Sequence, residues 1–66
     1  MLAEEVTNKK LKEAIGKKVE VLAFGIDYIG ILKKVDVQGG MIRIEDKNDY
    51  VVLEIERIES FQVLDR

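Results

Sequence analysis

The amino-acid sequence predicts a mainly β domain, in which one short helix precedes the five strands of a small antiparallel barrel. The first observation is a series of short runs rich in Val and Ile, separated by turn residues at regular spacing. The second is the absence of proline from all 66 residues, which leaves every backbone N–H able to bond. The third is Gly30, which lies inside the longest run. Glycine weakens a strand unless the strand must bend sharply, as it does where one strand serves both halves of a closed sheet.

The helix is predicted over residues 8–15. Thr7 is the expected N-cap, because its hydroxyl can accept a hydrogen bond from a free N–H of the first turn. Leu11, Ala14 and Ile15 share one face at helical spacing. Gly16 suits the position just after a helix, where the backbone often becomes left-handed. We therefore expect a short helix with one apolar face.

The strands are predicted after Gly16, within a single domain that spans residues 1–66. Gly39 and Gly40 provide a tight hairpin connection, because glycine reaches positive φ freely. A polar turn of four residues begins at Asp46. The strands are expected between about residues 17 and 65. The first starts with the alternating run at residues 19–21, and the others cover about residues 28–37, 41–45, 50–55 and 61–64.

The small size of the chain predicts a partner subunit. A domain of this length buries only about 60% of the surface of its unfolded chain and is marginal on its own. Histidine and cysteine are both absent, so disulfides and the usual zinc ligands are excluded as stabilisers. Association with further copies is the remaining stabiliser, and we expect a homo-oligomer that needs no metal and no cofactor.

The charge is not that of a strongly basic nucleic-acid-binding domain. The formal net charge is −2, with seven Lys/Arg against five Asp/Glu in residues 1–34 and four against eight in residues 35–66. One basic cluster stands out, and it comprises Lys9, Lys10, Lys12, Lys17 and Lys18. These lysines either contact phosphates or form an ordinary solvated face, and the solvated face is the commoner arrangement.

The sequence offers no catalytic constellation. Without His or Cys, a nucleophile would have to be Thr7, Ser60 or a lysine, and none has an activating base nearby in sequence. The carboxylates lack the spacing of a metal-binding loop. We expect a non-enzymatic protein. Its acidic start has no signal-peptide core and no run of residues is long enough to span a membrane, so the expected location is the cytoplasm.

The segment from Gly25 to Asp36 reads G-x-x-Φ-x-G-x-L-x-x-Φ-D, where Φ is apolar. This pattern resembles the first motif of the Sm and Sm-like (LSm) proteins, and the order of one helix and five strands is similar to theirs. The resemblance implies an Sm-like, SH3-like barrel in which Gly25 and Gly30 are structural. It also implies a homo-oligomeric ring of five to seven subunits that acts as an RNA scaffold or chaperone.

The residues that bind RNA in that family are only partly matched. Asp36 is present, but Gln38 stands at the base-stacking position and Gly40 where the family has an asparagine. Arg57 is followed by Ile58 instead of the glycine of the second motif. The resemblance implies an RNA site at Asp36, Gln38 and Arg57 together with the five clustered lysines, with a degenerate uridine pocket. Two alternatives stay open: Asp36 caps its own turn, and Arg57 forms an ion pair with a neighbouring glutamate. The alternative function is a protein-interaction or structural barrel that binds no nucleic acid.

Overall fold

A computed structural model describes residues 8–64. Its elements in chain order are a helix, four strands, a short 3₁₀ helix and a fifth strand. Their bounds are α1 (Asn8–Glu13), β1 (Lys18–Ala23), β2 (Ile26–Asp36), β3 (Met41–Asp46), β4 (Asp49–Glu54), η1 (Ile55–Arg57) and β5 (Ile58–Val63). The prediction of a mainly β domain with one short helix is confirmed.

The five strands form one antiparallel sheet in the order β4-β3-β2-β1-β5. Each neighbour in this order is adjacent in sequence except β5, which returns to pair with β1. Within residues 8–64, β4 and β5 lie at the two edges and are not paired with each other. The sheet is therefore open, and the closed barrel expected from the sequence is not seen in the single chain.

Strand β2 changes its pairing partner along its length. Its first half, from Ile26 to Ile31, pairs with β1, and its second half, from Ile31 to Asp36, pairs with β3. Gly30 lies just before this change, and the register against β3 shifts between Leu32 and Lys34. A long strand that serves two parts of a bent sheet is the arrangement that the internal glycine predicts.

The β1–β2 connection is a turn of two residues, Phe24 and Gly25, with φ angles of 56° and 73°. Positive φ at both central positions is the signature of a type I′ turn, which fits the twist of a hairpin. Gly25 suits this geometry, whereas Phe24 does not, because a bulky side chain disfavours the left-handed region. The glycine of this turn was predicted from the sequence, whereas the role of Phe24 was not.

The core lies between α1 and one face of the sheet. It consists of nine side chains that are at most 3% exposed: Leu11, Ala14, Val19, Val21, Ala23, Leu32, Ile42, Ile44 and Leu53. The segment that follows α1 is tied to β2 at Leu32, whose carbonyl accepts from Gly16 N–H at 2.8 Å and whose N–H donates to Lys17 O at 3.0 Å. This anchoring fixes the position of the helix over the sheet.

Several boundaries and one burial prediction were wrong. The helix ends at Glu13 instead of residue 15, and Ile15 is 46% exposed, because the chain leaves the helical path before Ile15 reaches the apolar face. Strand β5 begins three residues earlier than expected, after a 3₁₀ helix that the sequence analysis did not predict. The expected N-cap, Thr7, lies outside the described residues.

Candidate nucleic-acid interface

The turn between β2 and β3 carries the first of the expected RNA-binding residues. The Asp36 carboxylate accepts a hydrogen bond from the Gly39 backbone N–H, with 2.9 Å between Oδ1 and N. The Gly40 N–H donates to Val37 O at 3.2 Å, and Gly40 has a φ of 71°. Asp36 therefore stabilises its own turn, as aspartate commonly does at this position. The turn-capping alternative of the sequence analysis agrees with this geometry.

The turn lies beside η1, which carries Arg57. The Ile55 N–H donates to the Gly40 carbonyl oxygen at 2.8 Å, so the β2–β3 turn and the β4–β5 connection are joined directly. Arg57 Nε lies 3.4 Å from Glu54 Oε1, and both side chains are about three-fifths exposed. The structure thus brings together the segments that carry Asp36, Gln38 and Arg57, which are distant in sequence. The arginine sits in a solvent-exposed ion pair of small energetic value.

The basic cluster occupies a different place. The lysines at positions 9, 10 and 12 are on α1, and Lys17 and Lys18 lead into β1, where Lys18 is opposite Ile31. All five are exposed. The backbone of Lys17 bonds to Leu32, whereas the turn begins at Asp36, four residues farther along β2. That separation corresponds to about 13 Å of extended strand. Turn and lysines are therefore two separate patches on one domain.

The outer face of the sheet carries a contact that the sequence analysis missed. The Arg43 guanidinium stacks over the Tyr50 ring at 4.3 Å from its centroid, and Arg43 Nε lies 3.1 Å from Glu45 Oε2. Because Glu45 is opposite Tyr50 in the β3–β4 register, these three side chains meet on one face. Arg43 and Tyr50 lie on different strands. Their contact therefore follows from the β3–β4 register and could not be predicted from residue spacing within either strand.

An open groove of about 200 Å³ extends along this outer face towards the turn. Two basic side chains, Lys34 and Arg43, line it together with Asp36 and the exposed apolar side chains of Met41 and Val52. The groove is mixed in charge and has an apolar floor. Such a lining suits contact with another macromolecule better than it suits a chemical reaction.

Two further features bear on the kind of site. Among residues 8–64, no group of three or more acidic side chains is arranged to hold a metal ion. The described part of the chain also contains no helix of the length and apolarity needed to cross a membrane.

Comparison of the chain with protein-family models, with curated proteins and with solved structures finds no match. The resemblance to the Sm and Sm-like proteins therefore rests on the residues from Gly25 to Asp36 and on the order of the elements.

Proposed function

We propose that this protein is an Sm-like, ring-forming RNA scaffold or chaperone of the cytoplasm that binds single-stranded RNA through phosphate contacts. The observation that carries the proposal is the hydrogen bond from Ile55 N–H to Gly40 O. It joins the β2–β3 turn to the β4–β5 connection, which are the two segments that the resemblance implicates in RNA binding. The bent β2 that changes partner after Gly30 supports the same assignment.

Two free sheet edges support assembly into a ring. Within the described residues 8–64, strand β4 pairs only with β3, and β5 only with β1, so each presents unpaired backbone groups along one side. Exposed edges of this kind invite pairing with another chain. Pairing β4 of one subunit with β5 of the next would use both edges, and such a head-to-tail contact closes into a ring when the rotation between subunits allows it.

Light scattering during gel filtration tests the ring. The variant Val52→Lys places a charge on the β4 edge strand at a side chain that is 50% exposed, and edge lysines oppose strand pairing. We expect the wild type to have the mass of five to seven subunits and Val52→Lys to be monomeric. Ile29→Lys is the matched control, because Ile29 is 46% exposed in β2, away from both edges. A monomeric wild type at micromolar concentration would contradict the ring.

The lysine cluster is proposed to supply most of the RNA affinity. The base-gripping residues of the family are incomplete here, and Asp36 is engaged with Gly39, so sequence-specific contacts are few. Phosphate contacts give affinity without sequence information, and each adds about 0.7 to the slope of log K against log salt concentration for single strands. A ring repeats such contacts on every subunit, and this repetition raises the overall affinity.

Fluorescence polarisation with U-rich and A-rich oligonucleotides at two salt concentrations tests RNA binding. We expect weak binding of both, lost at the higher salt concentration and abolished when Lys9, Lys10 and Lys12 are replaced together by Glu. Replacement of Lys33 and Lys47 by Glu adds negative charge outside both the cluster and the groove and is the control. Tight, uridine-selective binding that Asp36→Ala eliminates would instead indicate an intact base pocket.

A second function, a protein-interaction module without nucleic-acid binding, is favoured by the outer face of the sheet. Tyr50, Val52 and Met41 expose between 38% and 63% of their surface there, and the chain as a whole is acidic. Absence of oligonucleotide binding even at low salt would make this second function the better account.

A further inference from the structure

The two ends of the domain carry opposite charge. The turns of the β1–β2 and β3–β4 hairpins lie at one end, where Asp27, Asp46 and Asp49 line a common groove. Glu59 joins them, because its Oε2 accepts from the Gly25 backbone N–H at 3.3 Å. The other end, around α1 and the start of β1, holds the five clustered lysines. The six residues of β1 separate Phe24 from Lys17 by about 20 Å.

An exposed aromatic side chain projects from the acidic end. Phe24 is 60% exposed and has a φ of 56°, and its neighbour across the turn, Ile26, is 52% exposed. Asn or Gly at this turn position would make the fold more stable, since both tolerate a positive φ. A phenylalanine that is both strained and largely exposed is explained by a contact with another molecule.

The basic end contains a groove that complements the tip, by which we mean the exposed side chains of Phe24 and Ile26. The groove lies between α1 and β5 and has a volume of about 300 Å³. Ala14, Phe61 and Val63 supply its apolar surface, and Val63 is 44% exposed. Its charged lining consists of Lys10, Lys17 and Glu13, so positive charge is in excess. An apolar lining with an excess of positive charge matches an aromatic side chain that lies beside the carboxylates of Asp27 and Glu59.

We propose that copies of this protein associate end to end, with Phe24 of one copy inserted into the α1–β5 groove of the next. Charge complementarity selects a second copy as the occupant: the carboxylates beside Phe24 face the lysines beside the groove. A symmetric contact between two tips would instead bring the carboxylates of both copies together. Because tip and groove lie at opposite ends of β1, the contact leaves a free tip and a free groove, and the association can extend in one direction.

This association goes beyond the proposed ring and does not require it. If the chain forms rings through β4 and β5, the rings would stack with their acidic face on the basic face of the next ring. If the chain is a monomer, single copies would form the column. The double variant Phe24→Asn/Lys17→Glu lacks both the aromatic side chain and the groove lysine. Its mass therefore gives the mass of the associating unit, whether that unit is a ring or a single copy.

Sedimentation velocity at increasing protein concentration tests the proposal. We expect wild-type species at multiples of the unit mass, which decrease as salt is added because the facing charges are screened. Phe24→Asn and Lys17→Glu should each weaken the association, the former at least about thirtyfold, as is usual for loss of a buried aromatic anchor. Lys33→Glu makes the same change in charge away from the groove and should leave the association intact.

A mixing experiment provides the decisive result. Phe24→Asn retains a functional groove and Lys17→Glu retains a functional tip, so each alone should remain at the unit mass. Their mixture should form complexes of two units and no larger species. The proposal is overturned if wild-type protein stays at the unit mass up to millimolar concentration, if Phe24→Asn leaves association unchanged, or if the mixture does not associate. In these cases the tip serves another partner or none.

A thermal unfolding curve is recorded for each variant to establish that the variant is folded. Should Phe24→Asn fail to fold, Phe24→Gly removes the same side chain at a position where glycine is favourable. It should lose association to the same extent.

Discussion

A side chain at Gly30 is expected to destabilise the protein more than a side chain at Gly40. A Cβ atom built on Gly30 would lie 2.6 Å from the carbonyl oxygen of Glu45 and 2.8 Å from Ile44 Cγ2. Carbon–oxygen contacts of this kind are ordinarily no closer than about 3.3 Å. The backbone of β3 would therefore have to move by about 0.7 Å, at the point where β2 changes its pairing partner.

The expected loss in the free energy of unfolding follows from this displacement. Overpacking that forces backbone shifts costs about 1–3 kcal/mol, so Gly30→Ala should unfold about 8–16 °C below the wild type if the cost is 2 kcal/mol. Gly30→Val adds two further methyl groups and should lose more, with little folded protein at 37 °C. Gly40→Ala is the control: its Cβ meets nothing within 4 Å, and only its φ of 71° opposes the substitution, at a cost of about 1 kcal/mol.

Circular dichroism melts and urea titrations at one fixed protein concentration measure these differences. The concentration must be constant because any association stabilises the folded state. If Gly30→Val unfolds at the same temperature and urea concentration as the wild type, the close approach of β2 and β3 is refuted, and with it the structural part of the resemblance.

Three further substitutions give separate outcomes. Phe24→Gly removes a bulky residue from a positive φ, and we expect it to raise the free energy of unfolding by about 1 kcal/mol; a lower melting temperature would show that Phe24 stabilises the fold by packing. Asp36→Ala removes the acceptor of the Gly39 N–H and should cost about 0.5–1.5 kcal/mol while leaving oligonucleotide affinity unchanged in polarisation titrations. Leu32→Ala empties a fully buried core position and should cost about 2–5 kcal/mol, measured by urea unfolding, and a loss below 1 kcal/mol would contradict its place in the core.

Much of the fold was predictable because it is encoded by local signals. Alternating apolar residues, paired glycines and a four-residue polar turn each act over a few positions, and they gave five strands in the correct order. Gly30 indicated a bend, and the change of pairing partner beside it agrees with that interpretation. The 3₁₀ helix and the early start of β5 were missed because residues 55–59 show neither strand alternation nor a Gly, Pro, Asn or Asp turn signal. The bond from Ile58 N–H to Ile55 O reveals the turn.

The candidate site was less predictable, because its geometry depends on strand register. The sequence identified Asp36 and Arg57 but could not show that Asp36 is engaged by Gly39. It also could not show that Arg43 stacks on Tyr50, since these residues lie on different strands and meet only through the β3–β4 pairing.

The separation of charge between the two ends has the same origin. Counted along the chain, the two halves differ by only a few charges, +2 against −4, and this difference does not indicate a partner. The hairpin topology gathers Asp27 from β2 with Asp46 and Asp49 from the β3–β4 turn at one end. It leaves the lysines of α1 and the start of β1 at the other. An almost neutral chain thereby acquires two oppositely charged regions, and the self-association proposed above should respond to salt in a way that the net charge alone would not predict.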